Sequence, residues 1–395
     1  MGRLTRDEEL EQLVRELNQG DEPDVVMPAT VQATSPAAPQ AVPEGNPLER
    51  LLLEMTQRGA SDLLLIAGNP AIVRLGGRLI RIDEQVLDGD DVAAYFAGFL
   101  TARLQEQLRE NGAADFSLYL NRYRFRVNVH RQRGTLAAAI RALPTEVPTL
   151  SQLHLPASLA DLVKPTRGLV LVCGPTGSGK TTTLASLVEI INHSEQRHII
   201  SIEDPVEYEH RNAKSVVEQI EIGRDAPSFA AALRAALRQD PDVILVGEMR
   251  DLETVSIALT AAETGHLILS TLHTSDAAQA IHRIIDVFPP QQQNQIRQQL
   301  ALSLNAIVIQ QLIPRADGSG RAVAVEVLMA NQPVRNHIRS NKLQQFATEI
   351  TMGKRQGMIS FEDSLAALVR QGLITLDDAR NRASSLEELE SLLRA

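Results

Sequence analysis

Aromatic side chains are scarce in this chain: tryptophan is absent from its 395 residues, and aromatic residues make up only 3%. Proteins that bind single-stranded nucleic acid without sequence preference rely on aromatic side chains on which bases stack. The formal net charge of −10 also opposes wholesale attraction to DNA or to an anionic membrane. We therefore expect no nucleic-acid partner.

Cysteine occurs once, as Cys173, which excludes an internal disulfide and a cysteine-rich zinc site and favours a reducing compartment. The sequence has no run of 18 apolar residues, the length that a membrane-spanning helix needs. Its acidic start, MGRLTRDEELEQL, lacks the apolar core of a signal peptide. These features predict a soluble cytoplasmic protein, which can still sit against a membrane complex.

The first 47 residues differ in composition from the rest of the chain. Residues 1–20 predict an amphipathic helix, because apolar residues recur at helical spacing on one stripe. These apolar residues are Leu10, Leu13, Val14 and Leu17. Residues 21–47 are rich in proline, alanine and threonine, a composition typical of an extended linker. Two interpretations of the tethered helix stay open: a docking element for an unknown partner, or a frayed tail.

The remaining chain divides into two domains and a helical end. Residues 48–148 mix helices with strands separated by turns, an α+β pattern, and residues 149–166 form an interdomain linker. Residues 167–331 hold short apolar strands separated by helices, which predicts a mostly parallel α/β sheet covered on both faces. The strand segments are GLVLVCG, HIISIE, DVILVG and HLILST. Residues 332–395 are expected to form a run of short helices.

Residues 174–181, GPTGSGKT, match the phosphate-binding pattern G-x-x-x-x-G-K-[ST] at every fixed position, between an apolar strand and a helix. Glycines let backbone N–H groups curl around phosphates, and the helix N-terminus adds a favourable dipole. Lys180 would reach the β- and γ-phosphates, and the Thr181 hydroxyl would hold Mg²⁺. ATP and Mg²⁺ are the expected ligands. The predicted ATP-binding residues are Gly174, Pro175, Thr176, Gly177, Ser178, Gly179, Lys180, Thr181 and Thr182.

Carboxylates follow the second and third apolar strands of this domain. Glu203, Asp204 and Glu207 come after the second strand, and Glu248 comes after the third. Open α/β sheets bind ligands at the carboxyl ends of their strands. A nucleotide hydrolase needs one carboxylate to organise Mg²⁺ and one to orient the attacking water, and these acids supply both. The alternative is that they cap the helices that follow, which is the expected role of Asp251.

Two groups of arginines are candidates for contacting phosphates. Arg234 and Arg238 lie four residues apart in SFAAALRAALRQDPD, a predicted helix that ends at Pro241. Arg126 belongs to the basic strand YRFRVNVHRQRG, with Arg141 nearby. Arg234 and Arg238 could stabilise a γ-phosphate or bridge to a neighbouring subunit. Arg126 and Arg141, facing the phosphate loop across a domain boundary, would complete an arginine clamp around the nucleotide. The alternatives are a solvated helix face for the first pair and a nucleic-acid patch for the second.

Four boxes together resemble those of secretion-type ATPases and, within them, the PilT family of type IV pilus retraction ATPases. They are GPTGSGKT, IEDPVEY, VILVGEMRD and GHLILSTLHTSDAAQAIHRI. The segments GASDLLLIAGNPAIVRLGG, PVRNHIRSNK and GMISFEDSL are similar to further elements of the family, and the resemblance covers residues 48–385. Leu64, Val334 and His337 depart from the residues usual in the family.

The resemblance implies a RecA-like P-loop ATPase domain preceded by a PAS-like domain and assembled as a homohexamer. It implies that Glu203 or Glu207 polarises the attacking water, that Glu248 organises Mg²⁺, and that Arg126 and Arg141 reach phosphates. It also implies a motor that powers pilus retraction and twitching motility at the cytoplasmic side of the inner membrane. The implied partners are the pilus platform protein and a related assembly or accessory ATPase.

Other functions stay open at this point. An assembly or type II secretion ATPase of the same superfamily is one, although such relatives usually carry a four-cysteine zinc element that a single cysteine excludes. An accessory retraction motor is another, favoured by the substitutions Val334 and His337. A nucleotide-binding regulator without turnover and a RecA-like DNA motor come from other classes of protein.

Three histidines fall within residues 265–283, and their spacing does not match a compact metal site. His266 opens a strand, and the resemblance implies a structural or coupling role for it. His273 lies just past the strand end, at the edge expected to hold the phosphates, so it is the candidate sensor of the γ-phosphate. His282 lies in the following helix and is expected to have no role in the site.

Overall fold

The computed structural model describes residues 40–42 and 45–394. The predicted helix over residues 1–20 and most of the predicted linker over residues 21–47 lie outside the described residues. The end of that linker segment contains ordered elements, because Gln40–Ala41 form strand β1 and helix α1 begins at Pro47. Pro47 suits the first helical position, where no backbone N–H is needed, and Asn46 caps the helix.

The first domain contains a seven-stranded sheet in the order β1-β5-β6-β7-β2-β3-β4. β1 is parallel to β5, and all other neighbours are antiparallel. The strands are β1 (Gln40–Ala41), β2 (Asp62–Ile66), β3 (Ile72–Leu75), β4 (Arg78–Arg81), β5 (Ala113–Leu120), β6 (Tyr123–Gln132) and β7 (Thr135–Leu143). The helices are α1 (Pro47–Gln57), α2 (Gly89–Phe96) and α3 (Ala102–Glu110). Apolar residues of β2, β3, β5, β6 and β7 and of all three helices share one buried core.

The second domain contains a seven-stranded sheet in the order β10-β9-β11-β12-β8-β13-β14. Only the β13–β14 pair is antiparallel. The strands are β8 (Gly168–Cys173), β9 (His198–Glu203), β10 (Val216–Glu221), β11 (Val243–Val246), β12 (Leu267–Leu272), β13 (Leu304–Pro314) and β14 (Arg321–Met329). The helices are α4 (Lys180–Ser194), α5 (Phe229–Ala236), α6 (Leu252–Glu263), α7 (Ala277–Asp286) and α8 (Pro290–Ser303). Two buried apolar clusters line this sheet, so both of its faces are covered.

The sequence patterns predict β8, β9, β11 and β12, the four apolar parallel strands, but not β10, β13 or β14. β10 and β13 carry polar residues within them, which hides the strand pattern. The helix predicted to reach Pro241 ends at Ala236 instead. Asp240 has a φ of +55°, and a residue that precedes proline is disfavoured in the helical region, so the chain turns before the next strand.

The last part of the chain is helical. Its helices are α9 (Gln332–Arg339), α10 (Phe346–Met352), α11 (Phe361–Arg370), α12 (Leu376–Arg382) and α13 (Leu386–Arg394). Short 3-10 helices lie at Leu343–Gln345 and Lys354–Gln356, and another lies between the domains at Ala157–Val163. Apolar residues of α11, α12 and α13 form a small core with β13 and β14. In the part of the chain that is described, no helix is both long enough and apolar enough to cross a bilayer.

Candidate functional site

Parallel strands bring the candidate site residues to one edge of the second sheet. β9, β11, β12 and β8 lie side by side in that order, and each neighbouring pair is parallel. Ligands of open α/β sheets bind at the carboxyl edge of such strands. The phosphate loop follows β8, residues 204–209 follow β9, residues 247–251 follow β11, and residues 273–276 follow β12. The candidate acids and His273 therefore lie at one edge of the second sheet, as the strand pattern predicts.

Glycines shape the phosphate loop where side chains cannot fit. Gly174 has a φ of +150°, and a Cβ built on it would lie 2.3 Å from the carbonyl oxygen of Gln310. Gly179 has a φ of +88° and precedes the first residue of α4. Together the loop and the α4 N-terminus provide the N–H groups and the dipole that bind phosphate.

Lys180 is folded back over the loop that precedes it. Its Nζ donates hydrogen bonds to the carbonyl oxygens of Gly174 at 2.9 Å and Pro175 at 3.0 Å. Burial lowers the pKa of Lys180, because the charged ammonium loses contact with water. The Ser178 hydroxyl is also buried and has no hydrogen-bond partner among the described residues. A bound nucleotide phosphate would supply acceptors for both groups, so the loop fits such a ligand.

Gln310 of β13 fixes the back of the phosphate loop, a role that the sequence did not predict. Its Nε2 donates to the carbonyl oxygen of Ser178 at 2.7 Å. Its Oε1 accepts from the Thr183 hydroxyl of α4 at 2.8 Å. Gln310 is 1% exposed, so both of its polar ends depend on these partners. The signal for this role in the sequence was the adjacent pair Gln310 and Gln311 inside an apolar segment.

Glu203 and Glu207 have different surroundings. Glu203 is 8% exposed, and its Oε1 accepts hydrogen bonds from the Ser201 hydroxyl at 2.8 Å and from Gln219 at 3.3 Å. Burial raises the pKa of Glu203, although these hydrogen bonds oppose the shift. Glu207 is half-buried, on the loop that follows β9.

Glu248 and His273 meet beside the phosphate loop. The Glu248 carboxylate lies 2.7 Å from Arg250 and 3.8 Å from Nε2 of His273. Nδ1 of His273 lies 3.4 Å from the Thr176 hydroxyl of the loop. Burial, reinforced by the positive charge of Lys180, lowers the pKa of His273, which favours the neutral imidazole.

The residues present suit Mg²⁺. Glu248 offers a carboxylate and Thr181 a hydroxyl at the start of α4, and Mg²⁺ prefers such oxygen ligands together with water and substrate phosphates. Thr182, the next residue, makes a different contact, because its hydroxyl lies 3.1 Å from the Tyr208 hydroxyl. Asp251 caps α6 through a 2.8 Å bond to the backbone N–H of Thr254, which confirms the capping role expected for it.

The four predicted clamp arginines do not contact the phosphate loop in the described chain. Arg126 is 3.9 Å from Asp115, and Arg141 is 2.9 Å from Asp62, both within the first domain. Arg234 pairs with Glu253, and Arg238 donates to the carbonyl oxygen of Arg234 at 3.1 Å. The arginine clamp therefore stays a prediction.

A different arginine of the same basic strand reaches the second domain. Arg124 donates hydrogen bonds to the carbonyl oxygens of Val206 and Glu207, each at 2.7 Å. No sequence pattern separates Arg124 from its arginine neighbours, because the burial of one guanidinium is set by packing between domains.

The other two histidines of the 265–283 segment lie apart from these contacts. Nδ1 of His266 is 3.1 Å from the carbonyl oxygen of Ala261, which ties the start of β12 to the end of α6. His282 is exposed on α7. The structure thus separates the three histidines into distinct environments.

Comparison with known proteins gives a consistent result. Residues 105–381 match the family model described as "Type II/IV secretion system protein". A "Twitching motility protein" from Neisseria gonorrhoeae is 43% identical over 80% of this chain and 85% of the relative. The "Type IV pilus retractation ATPase PilT" of Pseudomonas aeruginosa is 42% identical over 85% of this chain and 98% of the relative.

Among solved structures, the chain is similar to the crystal structure of the "Pilus Retraction Motor PilT and Bound ADP". The TM-score is 0.81 and the sequence identity 46%, and the match covers 87% of this chain and 99% of that one. The similarity therefore extends over both domains.

Proposed function

We infer the function of this chain from its family: it belongs to the type II/IV secretion system proteins and, among them, to the PilT family of pilus retraction ATPases. We propose that it hydrolyses ATP to power the retraction of type IV pili, which supports twitching motility. The observation that carries the proposal is one sheet edge that holds the phosphate loop, three glutamates and His273, in a chain 42% identical to a retraction ATPase.

The proposed chemistry is the transfer of a γ-phosphoryl group to water. The loop N–H groups and Lys180 hold the phosphates, and hydrolysis breaks the bond between the γ-phosphorus and the bridging oxygen. Mg²⁺, held by Thr181 and, partly through water, by Glu248, would neutralise phosphate charge. His273 lies between Thr176 and Glu248, so it is suited to sense the γ-phosphate with a hydrogen bond from its neutral ring.

Glu207 is the better candidate for the residue that orients the water and takes its proton. Glu203 is buried and already accepts hydrogen bonds from Ser201 and Gln219. A carboxylate occupied in this way holds its neighbours in place. Glu207 is more exposed, on a loop at the same edge, and a general base must approach the proton that it takes.

We further propose that the chain works as a homohexamer on the cytoplasmic side of the inner membrane, with the pilus platform protein as its partner. The side chains of Arg126 and Arg141 are 49% and 68% exposed, so their pairing with Asp115 and Asp62 leaves them accessible. Exposed ion pairs are weak, and these arginines can exchange a carboxylate for a nucleotide phosphate. Arg234 and Arg238 are candidates for the same clamp.

Deletion of the gene in the host, scored for pilus number and twitching, tests the proposal. Retraction predicts many unretracted pili and lost twitching, restored by the wild-type gene but not by the Lys180→Ala variant. Bald cells would instead indicate an assembly ATPase.

An accessory retraction motor is the second candidate, and the element PVRNHIRSNK favours it. His337, one of its departures from the family pattern, lies on α9 with Nε2 3.0 Å from Glu349 of α10. This contact joins α9 to α10 through a residue at which the chain departs from the family pattern. Nearly normal piliation with weak retraction force after deletion would support this candidate.

A further inference from the structure

Arg124 joins the two domains at one buried point. It lies on β6 of the first domain and is 7% exposed. Its Nη2 donates to the carbonyl oxygens of Val206 and Glu207, each at 2.7 Å, on the loop that follows β9 of the second domain. Its contacts are thus made to the backbone that carries the candidate base, and not to a carboxylate of its own domain.

The same guanidinium has a counter-charge on the same loop. Nη1 of Arg124 lies 3.1 Å from Glu209, and Glu209 also accepts a hydrogen bond from the Tyr119 hydroxyl of β5. Burying a charged group costs free energy unless it is paired and hydrogen-bonded, and each of these contacts compensates for that cost. The junction is therefore a specific arrangement of β5, β6 and residues 206–209.

Contacts from the second domain hold the loop on its other sides. The backbone N–H of Val206 donates to the carboxylate of Glu221, at the end of β10, at 3.2 Å. The Tyr208 carbonyl oxygen accepts from Gln219 at 2.8 Å, and the Tyr208 hydroxyl lies 3.1 Å from Thr182 beside the phosphate loop. Arg124 of the first domain thus holds the carbonyl oxygens on both sides of Glu207, while residues of the second domain hold the neighbouring Val206 and Tyr208.

We propose that Arg124 is a positioning residue for ATP hydrolysis, which holds the backbone of Glu207 and makes turnover depend on where the first domain lies. This inference rests on the proposed function, in which Glu207 orients the attacking water. When the first domain is placed as in this structure, Arg124 fixes the loop. When the domain moves away, the carbonyl oxygens of Val206 and Glu207 lose their hydrogen bonds to Arg124. Arg124 acts through the Glu207 backbone and is separate from the arginine clamp.

The test compares steady-state ATP turnover of the full-length chain and its Arg124→Gln variant. Loss of the anchor predicts that kcat falls about 10- to 100-fold, since displacements near 1 Å have effects of this size. The KM for ATP should stay within about twofold, because binding rests on the phosphate loop. Arg122→Gln is the matched control, because Arg122 is exposed in the turn before β6 and its side chain contacts the neighbouring Tyr123.

A double-mutant cycle separates positioning from a general loss of structure. If Arg124 acts by placing Glu207, then Arg124→Gln lowers kcat much less in a Glu207→Gln background than in the wild type. Equal losses in both backgrounds would overturn the proposal, because the effect would then not pass through Glu207.

Arg124→Lys keeps the positive charge and the aliphatic part of the side chain. It is the second variant for the case in which the Arg124→Gln chain does not fold. A lysine cannot reproduce the fork that reaches two carbonyls and Glu209, so kcat should fall about 3- to 10-fold with an unchanged thermal midpoint. Wild-type kcat in Arg124→Lys and in any folded Arg124→Gln sample would overturn the inference and leave the ATPase assignment standing. Absence of turnover in the wild-type chain would overturn both.

Discussion

Glu203 and Glu207 are four residues apart, yet the fold assigns them different surroundings. The sequence could not choose between them as the catalytic base, because both follow β9 within one acidic stretch. The difference lies in contacts made after folding, since Ser201 and Gln219 close around Glu203 and leave Glu207 on the loop. The choice of Glu207 as the catalytic base is therefore a prediction based on the structure and not on the sequence.

The first prediction concerns these two glutamates. Glu207→Gln should lower kcat by about 100-fold or more, the usual contribution of a general base. Glu203→Gln should cost less than about 10-fold, because glutamine keeps an oxygen that accepts the hydrogen bond from Ser201. Steady-state phosphate release with a parallel nucleotide-binding assay measures both effects. The reverse order of losses would make Glu203 the base.

Glu326 is a second residue whose surroundings matter. It lies within β14, and burial, with the nearby charges of Glu362 and Asp276, raises its pKa to about 7. Between its ordinary pKa of 4.5 and about 7, the folded chain binds more protons than the unfolded chain. The neutral carboxyl of Glu326 therefore makes its full contribution to stability below this pH range. The free energy of unfolding falls as the pH rises through the range.

The second prediction follows from that sign. Glu326→Gln should stabilise the chain at pH 8 by at most about 3 kcal/mol relative to wild type, and should have little effect below pH 5. Denaturant unfolding at the two pH values measures the difference, with the exposed Glu110→Gln as control. A stabilisation independent of pH would show that the carboxyl is not held neutral.

Among the elements, the sequence patterns predicted the parallel strands whose interiors are mostly apolar. β8, β9, β11 and β12 are buried on both faces, and inside their apolar runs the polar residues are the small Ser201, Ser270 and Thr271. β13 was missed because Asn305, Gln310 and Gln311 interrupt its apolar residues. Gln310 is polar because it serves the phosphate loop, so the residue that hid the strand is part of the site.

The third prediction tests this link between β13 and the phosphate loop. Gln310→Ala leaves the Ser178 carbonyl and the Thr183 hydroxyl without their partner, which should cost about 1–3 kcal/mol of stability. The loosened loop should also raise the KM for ATP. Denaturant unfolding and steady-state kinetics measure these effects. Gln311→Ala, the next residue on the same strand, is the control, and equal effects of the two substitutions would contradict the assigned role.

In the whole molecule, the sequence patterns indicated two separate sheets but not the contact between the two domains. The change from an α+β pattern to apolar parallel strands suggested two domains. The junction made by Arg124 and residues 206–209 joins segments about eighty positions apart, which no local pattern reports. The structure holds a single chain, so the homohexamer is proposed from the family to which the chain belongs.

The fourth prediction is the assembly itself. Native mass spectrometry with ATP and Mg²⁺ should show a species with six times the 43.2 kDa mass of the chain. The reason is that a ring motor needs each subunit to contact two neighbours through the same pair of surfaces. A monomer that persists at micromolar concentration under these conditions would contradict the homohexamer.

Steady-state phosphate release by three purified full-length proteins tests most directly whether this chain is an ATP-hydrolysing enzyme with the site described. These are the wild type, Lys180→Ala and Glu248→Ala. We predict sustained turnover by the wild type and losses of about 100-fold or more in both variants, because each removes charge stabilisation of the transferred phosphoryl group or its Mg²⁺. Equal rates in all three proteins would contradict the account.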